Sequence, residues 1–348
     1  MLLIDGNYLE GGGQIVRTAL ALSVLTQKPF TIDNIRAGRK ESGLKNQHLF
    51  GIRALRDLCD GVAENAHLGS TKITFYPRPI SKRKELVVDV QTAGSLTLLM
   101  QTLLLPAMFS GKKISLMLKG GTDVNWSPSY DYFANVVAPQ FKRYGNIDVS
   151  LKKRGYYPKG RGEISFVCKK KFTFNDELKP LMLVNHGTLV KINGVSHASK
   201  DLQGVTERQA KSSKAILHKW NVPVDIVSSY TDTLSTGSGI TLWATFSRDS
   251  HDVDFIDPIR LGADVLGQKG VRAEKIGEEC ALKLNYTINY GAPVDLHLAD
   301  QLIPLLGIVK GEIAVEKITN HTLTNIYVAE KFLDVKFKVD EKLGLIKV

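Results

Sequence analysis

Apolar residues along the chain alternate between two patterns. Dense Ala/Leu blocks and three-to-four-residue spacing predict helices, and short β-branched or aromatic runs between them predict strands. Residues 14–25 read as a helix, followed by a turn at Gln27-Lys28-Pro29, a strand over 30–35 and a second helix over 44–58. The same order returns as a helix over 95–109, the turn Gly111-Lys112-Lys113, a strand over 114–118 and a helix over 129–144. It returns again as 300–308, Lys310-Gly311, 312–317 and 324–332. Closing strands are expected at 72–76, 147–152, 163–168 and 335–339. Repetition of one unit predicts a pseudo-symmetric α/β (α+β) body of three βαβαββ-type repeats.

The third copy comes about a hundred residues late. The intervening stretch predicts a strand over 188–199 and an amphipathic helix over 205–220, with Ala210, Ala215, Ile216 and Trp220 on one side. Two more strands are expected at 223–229 and 239–247, and Gly267-Gln268-Lys269-Gly270 reads as the turn back. The expected organisation is a large domain over 1–183 and 277–348, with repeats at about 1–80, 81–183 and 277–348. A small α/β domain is inserted over 184–276.

Composition changes this picture little, but charge changes it more. With 348 residues the chain exceeds a usual single core, and 43% hydrophobic against 23% charged residues is ordinary for a folded protein. The longest apolar run, 96–109, is interrupted by Gln101 and Pro106, so no membrane span is expected. The first residues lack the basic and apolar regions of a secretion signal, and Cys59, Cys168 and Cys280 form no metal or disulfide pattern. A cytoplasmic setting is the expectation. The net charge is +11, and residues 111–171, with thirteen Lys/Arg against four Asp/Glu, supply +9 of it. Such clustering, with Tyr156 and Tyr157 inside it, suggests a polyanionic partner with unpaired bases; a solvated basic face is the alternative.

Candidate chemistry gathers at helix starts. Gly11-Gly12-Gly13 precede the first helix, with Glu10 before them and Gln14 and Arg17 after. Free backbone N–H groups at a helix start, glycine's permissive backbone and an arginine fork make a phosphate cradle, and Mg²⁺ would reconcile Glu10 with a phosphate. A Gly-rich turn with a solvated Glu10 is the competing reading. No Walker loop, dinucleotide fingerprint, lysine-nucleophile ligase motif or zinc motif is present. Arg36, Arg39, Lys40, Gln47 and His48 flank the second helix, Asp300-Gln301 open a late one, and His321 precedes the last. Imidazole in a polar setting serves as a base or nucleophile, with Asp300 a candidate to fix its tautomer; a capping role is the alternative.

Ordered motifs carry a resemblance. They are Asp5-Gly6 with Glu10-Gly-Gly-Gly-Gln-Ile-Val-Arg17; Asn34-Ile-Arg-Ala-Gly-Arg39 with Gly43-Leu44 and Gln47-His48; and Thr92-Ala-Gly-Ser95 with Gln101. Gly120-Gly-Thr-Asp123, Arg154-Gly-Tyr-Tyr-Pro158, Leu298-Ala-Asp-Gln-Leu302, and His321 with Leu323-Thr-Asn325 complete the set. Over essentially its whole length the chain resembles the RNA 3′-terminal phosphate cyclases. The resemblance implies three βαβαββ-type repeats plus one inserted domain. It also implies ATP-dependent conversion of an RNA 3′-phosphate to a 2′,3′-cyclic phosphate, through a histidyl-AMP intermediate, with release of AMP and pyrophosphate. By the same resemblance His321 is the nucleophile, Asp300 orients it, and Glu10 holds Mg²⁺ or Mn²⁺. Gln14, Arg17 and Gln101 surround the ATP phosphates, Pro128, His297, Asp300 and Gln301 lie around the nucleotide, and Arg36, Arg39, Gln47 and His48 bind the RNA end. His297 stands where the family often has Tyr, and Arg161 replaces the middle of three glycines. Cyclase-like relatives in ribosomal RNA maturation lack the nucleophilic His, which this chain has. The enolpyruvyl transferases, with related repeats, would not need the basic tract. RNA and ATP are the expected partners.

Overall fold

The computed structural model describes residues 1–82, 84–249, 253 and 258–348. The first unit runs β1 (Leu2–Asp5), α1 (Gly13–Thr26), β2 (Phe30–Asp33), α2 (Asn46–Cys59), β3 (Val62–Glu64) and β4 (Ile73–Tyr76). Its sheet has the order β1-β2-β4-β3, with β1 and β2 parallel and the other pairs antiparallel. The second unit runs β5 (Lys84–Asp89), α3 (Leu96–Phe109), β6 (Ile114–Gly120), α4 (Tyr130–Tyr132), a π turn (Phe133–Val137), α5 (Ala138–Lys142), β7 (Asn146–Lys153) and β8 (Gly162–Lys169). Its sheet, β5-β6-β8-β7, repeats the order and the pattern of directions. The single helix expected over 129–144 is present as a continuous helical run over 130–142, but its hydrogen-bond register changes in the middle. Pro139 has no N–H to give the α-helical ladder, and the chain takes up the difference in the π turn.

The third unit opens with β9 (Leu181–Leu183) and is interrupted before its first helix. The interruption comprises β10 (Thr188–Ser199), α6 (Val205–Leu217), β11 (Val224–Thr231), β12 (Ser238–Ser247), β13 (Ile259–Leu266) and α7 (Ala273–Tyr290). These strands form their own sheet, β11-β10-β12-β13. The unit resumes with α8 (Leu296–Val309), β14 (Gly311–Ala314), α9 (Asn320–Phe332), β15 (Lys338–Asp340) and β16 (Leu345–Lys347). Its sheet reads β9-β14-β16-β15, the same topology once more.

Two expected limits fall elsewhere. β9 lies within the range given to the second repeat, yet pairs in parallel with β14 of the third. The limit at 276 falls inside α7, which packs on α6, β12 and β13 and so goes with the inserted sheet. A three-residue strand is too short to register in hydrophobic periodicity.

α1 is the hub of the body. It packs against α2, α3 and α9, and α9 packs against α8. Ile15, Leu20 and Leu22 of α1 are fully buried among these neighbours. At roughly 1.5–3 kcal/mol per fully buried side chain, this packing fixes the N-termini of α1, α2, α8 and α9 relative to one another.

A buried ionic cluster joins the insert to the second unit. Arg154 bonds Asp123 at 2.9 Å and Asp131 at 2.5 Å. Tyr156 Oη lies 2.7 Å from Nδ1 of His197 on β10, whose Nε2 is 3.5 Å from Asp123. Burial, and then Arg154, push His197 down to about 3, so it is neutral. Arg154 and Tyr156 were both expected on the basic surface. Here they are internal, because two buried carboxylates demand a cation and the Tyr ring fills the space over Gly237.

Candidate active site

α1 starts at Gly12 with no side chain capping its first turn, whereas α8 and α9 carry their own caps, Asp295 and Thr319. Orphan N–H groups are therefore left at the start of α1, where the helix dipole favours an anion. Two of the three glycines have distinct reasons. Gly11 turns the chain at φ +53°, and a Cβ on Gly13 would lie 1.9 Å from Nε2 of His48. The imidazole of His48 thus lies directly against the helix start.

His48 is buried and accepts the Lys45 N–H at its Nδ1 at 2.9 Å. Burial foremost, then Arg17, Arg36 and Lys45, push it down to about 3. The neutral ring consequently carries its proton on Nε2, the atom that has no bonding partner among the described residues.

His321 sits in the first turn of α9 rather than ahead of it, because Thr319 Oγ accepts the Thr322 N–H and starts the helix at Asn320, four residues before the expected 324. Gln14, on the first turn of α1, holds it twice. Gln14 Nε2 donates to the His321 carbonyl at 2.6 Å, and Gln14 Oε1 meets His321 Nδ1. Since the amide nitrogen is committed to the carbonyl, the oxygen faces the ring, and Nδ1 must be the donor. Nε2 lies 2.9 Å from Glu10 Oε2, an ion pair when the ring is protonated, so its lone pair is exposed only in the neutral ring with Glu10 drawn away. The same Glu10 oxygen is 3.3 Å from Arg39. Partial burial, and then Arg17, Arg39 and His297, lower the His321 pKa against the pull of Glu10, favouring neutral imidazole.

The resemblance assigns Asp300 to orienting His321. Among the described residues its carboxylate makes no hydrogen bond to His321; Gln14 occupies that place. Asp300 contributes its carbonyl instead, accepting from Asn325 Nδ2 at 2.5 Å, while Asn325 Oδ1 accepts from Thr18 at 2.7 Å. This chain ties α8, α9 and α1 together. Sequence reading left Thr18 without a role and used Asn325 only as a motif position; their spacing on two distant helices carried no signal that they meet. Burial pushes Asp300 up to about 7, against the pull of His297 and Arg17. Burial likewise lowers Arg17 to about 10, with Asp300 opposing.

The remaining candidates divide. Arg36, at φ +57°, donates to the Glu41 carbonyl at 3.2 Å and leaves its Nε buried and unbonded. Gln301 Nε2 bonds the His297 carbonyl at 3.0 Å, and its Oε1 is unbonded. The His297 ring is edge-on to Tyr132 at 6.4 Å. Pro128 accepts from Thr97 at 2.8 Å. Gln101 lies part-exposed on α3, away from any hydrogen bond to His321. Exposed Gln47 lines a cleft of about 410 Å³ with Ala93, Gly94, Trp126 and Tyr157. The structure therefore joins Glu10, Gln14, Arg39 and His321 by direct contact. Arg17 and His297 bear on His321 electrostatically, and Asp300 bears on Arg17.

The family model for RNA 3'-terminal phosphate cyclase matches residues 8–339. The chain belongs to this family. Relatives of that name include one from Pyrococcus abyssi, 42% identical over 99% of this chain and 96% of the relative. Another, from Methanococcoides burtonii, is 41% identical over 100% of this chain and 99% of the relative. A third, from Pyrococcus furiosus, is 40% identical over 99% and 96%. The cyclase-family match runs through all three units and the insert, so it includes every residue joined at the start of α1.

Proposed function

We propose that this chain is an ATP-dependent RNA 3′-phosphate cyclase that works through an adenylylated His321. The observation that carries this reading is the His321 ring held by Gln14 with Nδ1 donating, which leaves Nε2 to attack beside the uncapped start of α1 once Glu10 turns from it to a metal ion. Nε2 bonds to the α-phosphorus of ATP as the bond to the β-phosphate oxygen breaks, and pyrophosphate leaves. An oxygen of the RNA 3′-phosphate then displaces the imidazole, giving an RNA–AMP anhydride. The adjacent 2′-hydroxyl oxygen bonds to the terminal phosphorus, AMP departs and the hydroxyl proton passes to solvent. Activation is needed because a phosphate dianion resists attack and AMP is a far better leaving group.

The chain's own groups have distinct duties. N–H groups of Gly13 and its neighbours and the Arg17 guanidinium receive the triphosphate charge. Arg36, Arg39 and Gln47 receive the RNA phosphate, and neutral His48 offers its Nε2–H at the same helix start. His297, Gln301 and Pro128 receive the nucleoside, with imidazole in place of the more common tyrosine. A single carboxylate beside a phosphate-binding helix start suits Mg²⁺ or Mn²⁺, which take one or two carboxylates and complete their shell with phosphate oxygens and water. Glu10 would hold it, and the ion would neutralise charge on the phosphates.

The test is a 5′-labelled RNA ending in a 3′-phosphate, incubated with ATP and Mg²⁺ or Mn²⁺. The expected product resists phosphatase and becomes sensitive again after acid opening of the ring. An end that stays phosphatase-sensitive under every metal would favour an RNA-binding role in ribosomal RNA processing instead.

A further inference from the structure

The cleft lined by Gln47 is built by loops at the C-terminal end of β6. Gly121 N–H bonds the Gly94 carbonyl at 2.9 Å, and Thr122 N–H bonds the Gly155 carbonyl at 2.9 Å. The segments around 93–95, 121–126 and 155–162 are thereby locked side by side. Two aromatic side chains stand in this cleft. Trp126 is 98% exposed and Tyr157 74% exposed, the two most exposed aromatic side chains among the described residues.

Trp126 is costly twice over. Its large apolar surface lies in water, and its backbone is left-handed at φ +65°, a conformation a bulky side chain rarely adopts. Neither feature stabilises the folded chain. The backbone bonds of the neighbouring Gly121 and Thr122 fix the loop that presents the ring, which is the pattern of a binding residue.

The surroundings specify the ligand. Gln47, among the residues lining the cleft, is next in sequence to His48, whose ring lies against the start of α1, where the cyclase reading puts the RNA phosphate. Lys152, Lys153, Lys159 and Arg161 are exposed on the adjoining segment. Arg161, at φ +60°, is only loosely paired, 3.4 Å from Asp89. Flat π faces among cations, leading away from a phosphate site, fit a single strand of nucleic acid whose bases are unstacked.

We propose that Trp126 and Tyr157 form a base-stacking subsite for the nucleotide preceding the phosphorylated 3′ end of single-stranded RNA. This rests on the cyclase reading and assigns it a specificity element: substrates with an upstream base gain affinity that a lone nucleoside 3′-phosphate does not.

The test uses the full chain with Trp126→Ala, Trp126→Phe and Tyr157→Ala. Substrates are a five-nucleotide RNA 3′-phosphate carrying 2-aminopurine at the penultimate position, and a nucleoside 3′-phosphate. Loss of one stack should raise the pentanucleotide KM about tenfold, within the roughly 5- to 150-fold range that base–aromatic stacking spans. KM for the nucleoside 3′-phosphate and the rate of adduct formation with ATP should not change. Trp126→Phe should retain most of the affinity, and quenching of 2-aminopurine on binding should disappear in Trp126→Ala. Trp126→Gly guards against a folding artefact, since glycine accepts the left-handed backbone: its melting temperature should match or exceed that of the wild type while its pentanucleotide KM rises. If wild-type enzyme cyclises RNA and the variants do so with unaltered KM, the subsite is refuted and the cyclase reading stands. If Trp126→Ala slows adduct formation as much as cyclisation, the cleft holds the ATP base and the proposal is wrong. If wild-type enzyme makes neither adduct nor cyclic end, the cyclase reading fails and the subsite goes with it.

Discussion

Asp300→Asn gives a prediction in which stability and activity move in opposite directions. Burial lifts the Asp300 carboxyl from an ordinary 3.8 to about 7 in the folded chain. Between those values the native state holds a proton that the unfolded chain has released, so stability falls as pH rises, by up to about 1.4 kcal/mol per pH unit. Over roughly three units this is about 4 kcal/mol. Solvent at the edge of the carboxyl screens part of it, leaving on the order of 2 kcal/mol. Asparagine keeps the shape without the charge. At pH 8 Asp300→Asn should therefore be more stable than the wild type by about 2 kcal/mol, an increase of roughly 3 °C in Tm for a chain of this size. The advantage should shrink below pH 7 and vanish near pH 4. Nucleotide-free melts of both proteins across that range read it directly. Adduct formation should fall in the same variant, since the site loses a charge placed beside Arg17. A variant less stable than the wild type at pH 8 would refute the reasoning, and would mean that the Arg17–Asp300 attraction outweighs burial.

Other perturbations test other parts. Gly13→Ala drives a methyl into the His48 ring, so it should cost about 1–3 kcal/mol in denaturant titrations and suppress adduct formation. Arg154→Met leaves Asp123 and Asp131 buried without their cation; a loss of roughly 3–5 kcal/mol is expected, with faster amide exchange in β10 around His197. Glu10→Gln removes a half-exposed ion pair and should change stability by less than about 1 kcal/mol, while adenylylation drops far more; equal losses in both would make Glu10 structural.

The repeat was legible because helix, turn and strand recur in one order, and three sheets of identical topology follow from it. The three-residue strands β3 and β9 were not, since their pairing depends on partners distant in sequence. At the site, Glu10, Gln14 and His321 could be picked out because their chemistry is unusual beside helix starts. Their division of labour could not. That Gln14 rather than Asp300 faces Nδ1 depends on how α1 packs on α9, some three hundred residues apart. Gly13 looked like a ligand-approach glycine, and proves to be one that His48 requires. Charge counting placed Arg154 on the surface because it cannot see the two carboxylates that bury it.

On this mechanism His321 carries AMP. Incubation of wild type and His321→Ala with α-labelled ATP and Mg²⁺ or Mn²⁺, followed by acid and alkali treatment, tests it most directly. The wild type should acquire a covalent label that acid removes and alkali spares, and the variant none. An unlabelled wild type, or a label that persists in His321→Ala, would contradict it.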